Sequence, residues 1–284
     1  MGDAKEVWRK NISVERDRRQ SQVLAWCAGL LLGLAAVAPP IAAWKLGLPL
    51  WPLRGPLLFS SVFAAVVWGL RAATPRGVAM GWMVCFILAQ SPRVWMRFSS
   101  WPERSAALPA LLALFVLTFA ATRFGRTKKE ARGLAEARRG RNASQIAANL
   151  GVAALFAAAG RYEGCIAALA EAAADTVSSE MGQALGGRTV MITTLRPVEG
   201  GTDGAVSLAG SLAGVTAAGV VVAIGGMRHA LWPNQAAVMA AACAGLFFDS
   251  LLGATVERRG WLGNDLVNFA STLFAAALAE VLAH

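Results

Sequence analysis

The chain has 284 residues, 56% of them hydrophobic and only 15% charged, where a soluble domain carries about 25% charged residues. Its apolar residues run in long blocks, and alternation in segments of ~10 residues is missing, which excludes both a soluble globular domain and a β-barrel and leaves an all-α, polytopic transmembrane helical bundle. The net charge of +10 is uneven and comes with no RNA- or DNA-binding motif, so it reads as membrane topology, with no nucleic acid as partner.

Met1 to Gln20 is polar and rich in Arg and Lys. A cleavable signal peptide would place its apolar core earlier. Glu6 stands where myristoylation of the Met-Gly start would need Ser or Thr. Apolar blocks follow at about 22–43, 56–73, 77–92 and 105–122, each near the ~20 residues that span a bilayer. Pro39-Pro40 should kink or end the first helix. Trp44, Trp51, Trp95 and Trp101 suit membrane interfaces. The most basic segment comes next, with Arg123, Arg126, Lys128, Lys129, Arg132, Arg138, Arg139 and Arg141. It reads as a solvated cytoplasmic loop; the rival reading is a nucleic-acid or lipid-phosphate patch.

The positive-inside rule puts both basic regions in the cytoplasm, which requires an even number of spans between them, and four blocks lie there. Five more follow at about 144–160, 162–184, 205–226, 235–254 and 264–283. The expectation is about nine spans with a cytoplasmic N-terminus, in a multi-pass protein of a bacterial inner membrane. Three regions result: 1–125 with four spans, the basic loop 126–143, and a five-helix, motif-bearing region 144–284.

Cys27, Cys85, Cys165 and Cys243 lie in separate blocks with no C-x-x-C pair, so they read as small packing residues rather than zinc ligands or a disulfide framework. His229 falls in a loop and His284 at the last position, which speaks against chemistry built on a histidine base.

Ionisable residues in membrane segments cost roughly 2.5–3.5 kcal/mol each on insertion scales and read as functional by default. The stretch Ala174 to Gly182 carries Asp175 and Glu180 at the end of the sixth block. Glu171, Asp175, Ser178 and Gly182 share one helical face, as do Asp249, Gly253 and Glu257. Gln145–Asn149 and Asn264–Asn268 are also i, i+4 pairs. Glu180, five residues after Asp175, points elsewhere unless the helix loosens. With the topology above, all of these polar groups fall on the cytoplasmic leaflet. Carboxylates and amides without His or Cys suit Mg²⁺ or Ca²⁺, with Asp175, Asp249 and Asp265 as metal candidates. The turn Gly200-Gly201-Thr202-Asp203-Gly204 allows close approach of backbone N–H groups to a phosphate, though Asp203 as a plain helix cap explains it equally well. Polar residues of this kind also serve as interhelical glue, and Ala168–Ala172 and Gly210–Gly214 are small-xxx-small packing devices.

In these residues the sequence resembles the transmembrane protein 19 family, also known as domain of unknown function 92. The motifs are Gly140-Arg141-Asn142-Ala143-Ser144-Gln145 with Asn149; Ala174-Asp175-Thr176 with Ser179-Glu180 and Gly182; Thr193-Thr194; Gly201 to Ser207; Asp249-Ser250 with Leu252 to Thr255; and Asn264-Asp265 with Val267-Asn268. They cover about 139 to 283; the first four spans match in hydropathy alone. The family's characterised branch, the plastid phytyl-phosphate kinase, implies phosphate transfer from a nucleoside triphosphate to an isoprenoid monophosphate. More distantly, the Asp-Thr and Glu-Gly elements are similar to dolichol and phytol kinases and phosphatidate cytidylyltransferases, which place a Lys before the Glu-Gly turn where this chain has Arg196.

The resulting expectation is a membrane kinase using Mg²⁺ and CTP or ATP on a prenyl or lipid monophosphate. Asp175, Glu180 and Asp265 are its catalytic candidates. Gln145, Asn149, Arg196, Gly200, Gly201, Thr202, Gly204, Asn264 and Asn268 are its phosphate- and substrate-binding candidates. A cation or lipid-phosphate transporter and a lipid cytidylyltransferase are the alternatives; oligomeric state and acceptor stay open.

Overall fold

The computed structural model describes residues 12–90, 107–133, 140–227 and 234–284. In chain order these form α1 (Val14–Lys45), α2 (Arg54–Gly69), α3 (Pro75–Gln90), α4 (Ala107–Arg123), the short α5 (Arg126–Ala131), α6 (Ala143–Ala158), α7 (Tyr162–Leu185), strands β1 (Thr189–Met191) and β2 (Ala205–Ser207), α8 (Leu208–Gly226), α9 (Gln235–Glu257) and α10 (Asn264–Ala283). Among the described residues five helices are long and apolar enough to cross a membrane: α1, α2 with its leading turn, α8, α9 and α10. The helices α4 and α6 are shorter and apolar. Trp95, Trp101, Arg138, Arg139, His229 and residues 1–11 of the basic N-terminal stretch lie outside the described residues.

The chain is packed around α7. It touches α4, α6, α8, α9 and α10, and its residues from Gly164 to Ala174 are buried throughout. The reason is side-chain size. Gly210 and Gly214 on α8 sit where a Cβ would come within 2.6 Å of the Ser178 carbonyl and 2.7 Å of the Ala174 carbonyl, so the two backbones meet directly, as the small-xxx-small spacing anticipates.

The helix ends fall into two layers. At one end the Gln20 side chain bonds the backbone of Trp261 and Gly263. Arg141 exchanges backbone bonds with Ala72 and Thr74, Arg123 donates to the Leu70 carbonyl, and Gly125 abuts Ala184. At the other end Tyr162 donates to the Gly225 carbonyl, Glu280 accepts from Gly164 N–H, and Asn234 donates to Glu163. The basic segments and the polar motifs therefore share one end of the bundle.

Three details depart from the sequence reading. The chain is not wholly helical: β1 and β2 pair antiparallel, Thr189 opposite Ser207, and carry the glycine turn between them. Ser207 rather than Asp203 caps α8, accepting from Gly210 N–H at 3.1 Å. Of the two outcomes expected for Pro39-Pro40, a kink or an end, the end does not occur: the first helix runs on to Lys45. Pro40 has no N–H for the Ala36 carbonyl; Gln90 on α3 supplies a donor instead, at 3.1 Å. A neighbouring helix thus satisfies the freed group, as helices in lipid require.

Candidate functional site

At the end that holds the basic segments, a cleft of about 360 Å³ opens between α6, α7, α9, α10 and the β1–β2 loop. Each wall is built locally. Asn142 caps α6 in a capping box with Gln145. A π-helical segment over 147–151 then turns the wall so that Asn149 lines the cleft. A second π segment, Gly253–Glu257, does the same for Gly253 and Glu257 on α9. Such bulges gather at functional sites. From the central helix come Asp175, Thr176, Ser178, Ser179 and Gly182.

Asp175 and Asp249 face each other across the cleft within hydrogen-bonding reach, with Arg141 the positive charge beside Asp175. Ser271, buried on α10, donates to Asp249 Oδ1 at 3.1 Å and fixes that carboxyl. Arg141 reaches Thr176 Oγ1 at 3.3 Å. One turn deeper, Glu171 is buried, and among the described residues neither of its carboxyl oxygens has a hydrogen-bond partner.

The glycine turn lies against the second π segment. Gly204 has φ +75°, and a Cβ on it would stand 2.3 Å from the Ala254 nitrogen. Gly253 is closed to a side chain in the same way, by Gly204. Gly200, Gly201, Thr202 and Gly204 all line the cleft. The Thr202 hydroxyl is spent within the turn, donating to the Glu199 carbonyl at 2.7 Å.

Gln145, Asn149, Asp175, Asp249, Asn264 and Asn268 also converge there. Three candidates stand apart. Asp265 is buried in the first turn of α10, outside the cleft lining; a carboxylate there favours the helix dipole, and Asn264 and Asn268 take the face that turns inward. Among the described residues no group of three or more His, Cys, Asp or Glu is placed to hold a metal ion, so the three-acid set is not assembled. Arg196 is exposed in the β1–β2 loop, away from the cleft. Glu180 reaches the cleft wall, but its carboxylate accepts from Lys129, itself buried and bonded to the Ala121 and Thr122 carbonyls at 3.1 and 2.9 Å. It anchors α5 to α7.

Sequence reasoning missed three contributors. Arg141 stands in the Gly140 to Gln145 motif and in the basic segment, but neither gives it a place in the site. Ser271 and Lys129 carry no pattern at all; only packing puts them against an acid.

Helices of this apolarity around a one-ended, acid-lined cleft define a polytopic integral membrane protein. The chain belongs to the family described as integral membrane protein DUF92, whose profile matches residues 58–276. The match begins within α2, so the family pattern reaches well before residue 139. An uncharacterised membrane protein of Synechocystis sp. is 31% identical, with 92% of each chain aligned. The chloroplastic protein VTE6 of Arabidopsis thaliana is 34% identical over 63% of this chain and 59% of its own length. An uncharacterised membrane protein of Methanocaldococcus jannaschii is 34% identical over 61% of this chain and 74% of its own. No solved structure matches.

Proposed function

We propose that this chain is a membrane phosphotransferase that moves the terminal phosphoryl group of CTP or ATP onto a prenyl, phytyl-like, or lipid monophosphate. The membrane is the inner membrane of a bacterium, crossed nine times, with the cleft on the cytoplasmic side. The observation that carries the reading is the facing pair Asp175 and Asp249 in one cleft with the glycine turn. The chloroplast relative and the motif resemblance to phytyl-phosphate kinases support it.

The donor set fits a hard cation. Carboxylates, among them Asp175 and Asp249, line the cleft with amides and hydroxyls and without His or Cys, and Mg²⁺ is usually held by one or two carboxylates plus substrate phosphates. Asp175 and Asp249 would hold it, and when bound it neutralises charge on the transferring phosphoryl group. The turn from Gly200 to Gly204 approaches the nucleotide phosphates with backbone N–H groups. Arg141 offsets the charge of the acceptor. The acceptor's phosphate oxygen forms the new P–O bond as the bond from the terminal phosphorus to its bridging oxygen breaks, and the nucleoside diphosphate leaves. A phosphate monoester has its second pKa near ~6, so the attacking oxygen is already ionised and no side-chain base is needed. That accounts for a site built without histidine.

Beyond Glu171 the central helix presents buried Ala, Leu and Ile, which favours an enzyme over a transporter. The test is purified protein with terminally labelled CTP or ATP and a prenyl monophosphate. Label in a prenyl diphosphate supports the reading. Inert wild type on every prenyl phosphate tried refutes it; CMP on the lipid would make the protein a cytidylyltransferase, and phosphate flux across liposomes a transporter.

A further inference from the structure

A second and larger cavity, of about 600 Å³, lies between α2, α3 and α4, with α6 and Ala172 of α7 as its floor. Its chemistry is the reverse of the cleft's. Phe63, Val67, Trp82, Leu114, Phe115 and Phe119 make an apolar wall. Four arginines line the same cavity, Arg71, Arg123, Arg126 and Arg141, and among the described residues no Asp or Glu does. The wall is held in place: Phe63 meets Phe115 edge-on at 5.3 Å, and the Trp82 indole donates to Ser61.

The arginines sit at the end of the cavity that carries the polar motifs, and they are positioned. Arg123 donates to the Leu70 carbonyl at 3.1 Å and lies 4.0 Å over the Phe119 ring. Arg71 follows at the same turn with φ +53°, a backbone that non-glycine residues rarely adopt and that gathers at ligand sites. Arg126 is tied to Glu130. Arg141 and Asn149 line both this cavity and the acid-lined cleft, so the two chambers share a wall at the place where Arg141 touches Thr176, the neighbour of Asp175.

We infer that this cavity binds the acceptor, a single isoprenoid chain ending in a monophosphate, with the chain against the aromatic wall and the phosphate between Arg71, Arg123 and Arg141. The inference rests on the phosphotransferase reading and adds to it the acceptor's site and its restriction to a single chain. Arginine's planar fork suits phosphate oxygens. At roughly 30 Å³ per small liquid-phase group, the cavity takes about twenty non-hydrogen atoms, the phosphate and about three to four units of one isoprenoid chain rather than two acyl chains. The first helices thereby gain a role: they shape the tail, while the second half holds the nucleotide.

The experiment is equilibrium binding to the purified full-length chain in nanodiscs, using geranylgeranyl monophosphate, geranylgeraniol, phosphatidic acid and inorganic phosphate. Gly81 lines the cavity and a Cβ there meets nothing within 4 Å, so Gly81→Phe fills empty space without crowding the helix. The monophosphate should bind at least about tenfold more tightly than the alcohol or phosphatidic acid, and inorganic phosphate should bind far more weakly. Gly81→Phe should weaken the monophosphate by at least about tenfold with no fall in melting temperature. Arg71→Gln and Arg123→Gln should weaken the monophosphate but leave the alcohol unchanged. Wild-type binding by Gly81→Phe and Arg123→Gln overturns the inference, as does equal binding of alcohol or phosphatidic acid. Binding without phosphate transfer would leave the site standing and sink the kinase reading. Transfer with an unchanged KM in Gly81→Phe would do the opposite.

Discussion

Lys129→Met should be the most damaging single change at the polar end. It removes one partner of a buried ion pair and leaves the Glu180 carboxylate, with no second hydrogen-bond partner among the described residues, in a wall with 7% exposure. It also strips the Ala121 and Thr122 carbonyls, at the end of α4, of their donor. Breaking a buried pair in this way costs about 3–5 kcal/mol. At about 2–4 °C per kcal/mol for a chain of this order, the melting temperature falls by on the order of 10 °C. Glu180→Gln should cost less, because Lys129 keeps its two carbonyl acceptors. Lys129→Met with Glu180→Leu should recover most of the loss, since an apolar replacement of both partners is often neutral. Thermal unfolding of the three variants in detergent measures this directly. If the double variant is as unstable as the sum of the singles, or if Glu180→Gln keeps full stability yet abolishes phosphate transfer, the structural assignment of Glu180 is wrong.

Asp175→Asn and Asp249→Asn should each lower transfer by at least about 100-fold without lowering the melting temperature, because each relieves like-charge repulsion across the cleft; a stable variant with more than a tenth of wild-type rate would remove the pair from the mechanism. Gly204→Ala should strain a left-handed position and push the turn off Ala254, costing about 2–4 kcal/mol locally; the expected readout is a raised KM for the nucleotide. Gln90→Leu should leave the Ala36 carbonyl bare and destabilise the α1–α3 contact by about 1–3 kcal/mol, seen as a lower melting temperature at unchanged KM.

Much of the architecture was legible because lipid imposes it. Long apolar blocks give the helices, and charge order brings the polar ends to one layer. What the sequence hid is lateral. Nothing in the order of residues says that the turn after α2 packs against the start of α6, or that Lys129 meets Glu180. The β1–β2 hairpin is only three residues a side and was absorbed into a loop and a helix start. Asp265 looked like Asp175 and Asp249 because all are acids near helix ends on the same leaflet; only its angle around α10 takes it out of the cleft. Pro39-Pro40 left a helix end open as an outcome because the donor that satisfies Ala36 comes from a residue 54 positions away.

The two wide turns over 147–151 and 253–257 carry one more implication. Each behaves as a helix with a single extra residue, and one residue is about 100° of rotation. Deleting it would rewind the segment into ordinary α-helix and swing everything on one side of it around the axis, carrying Asn149 or Glu257 off its wall. Surface loops change length at little cost. These two helices are counted to the residue, and their apparent irregularities are the parts least free to be regularised.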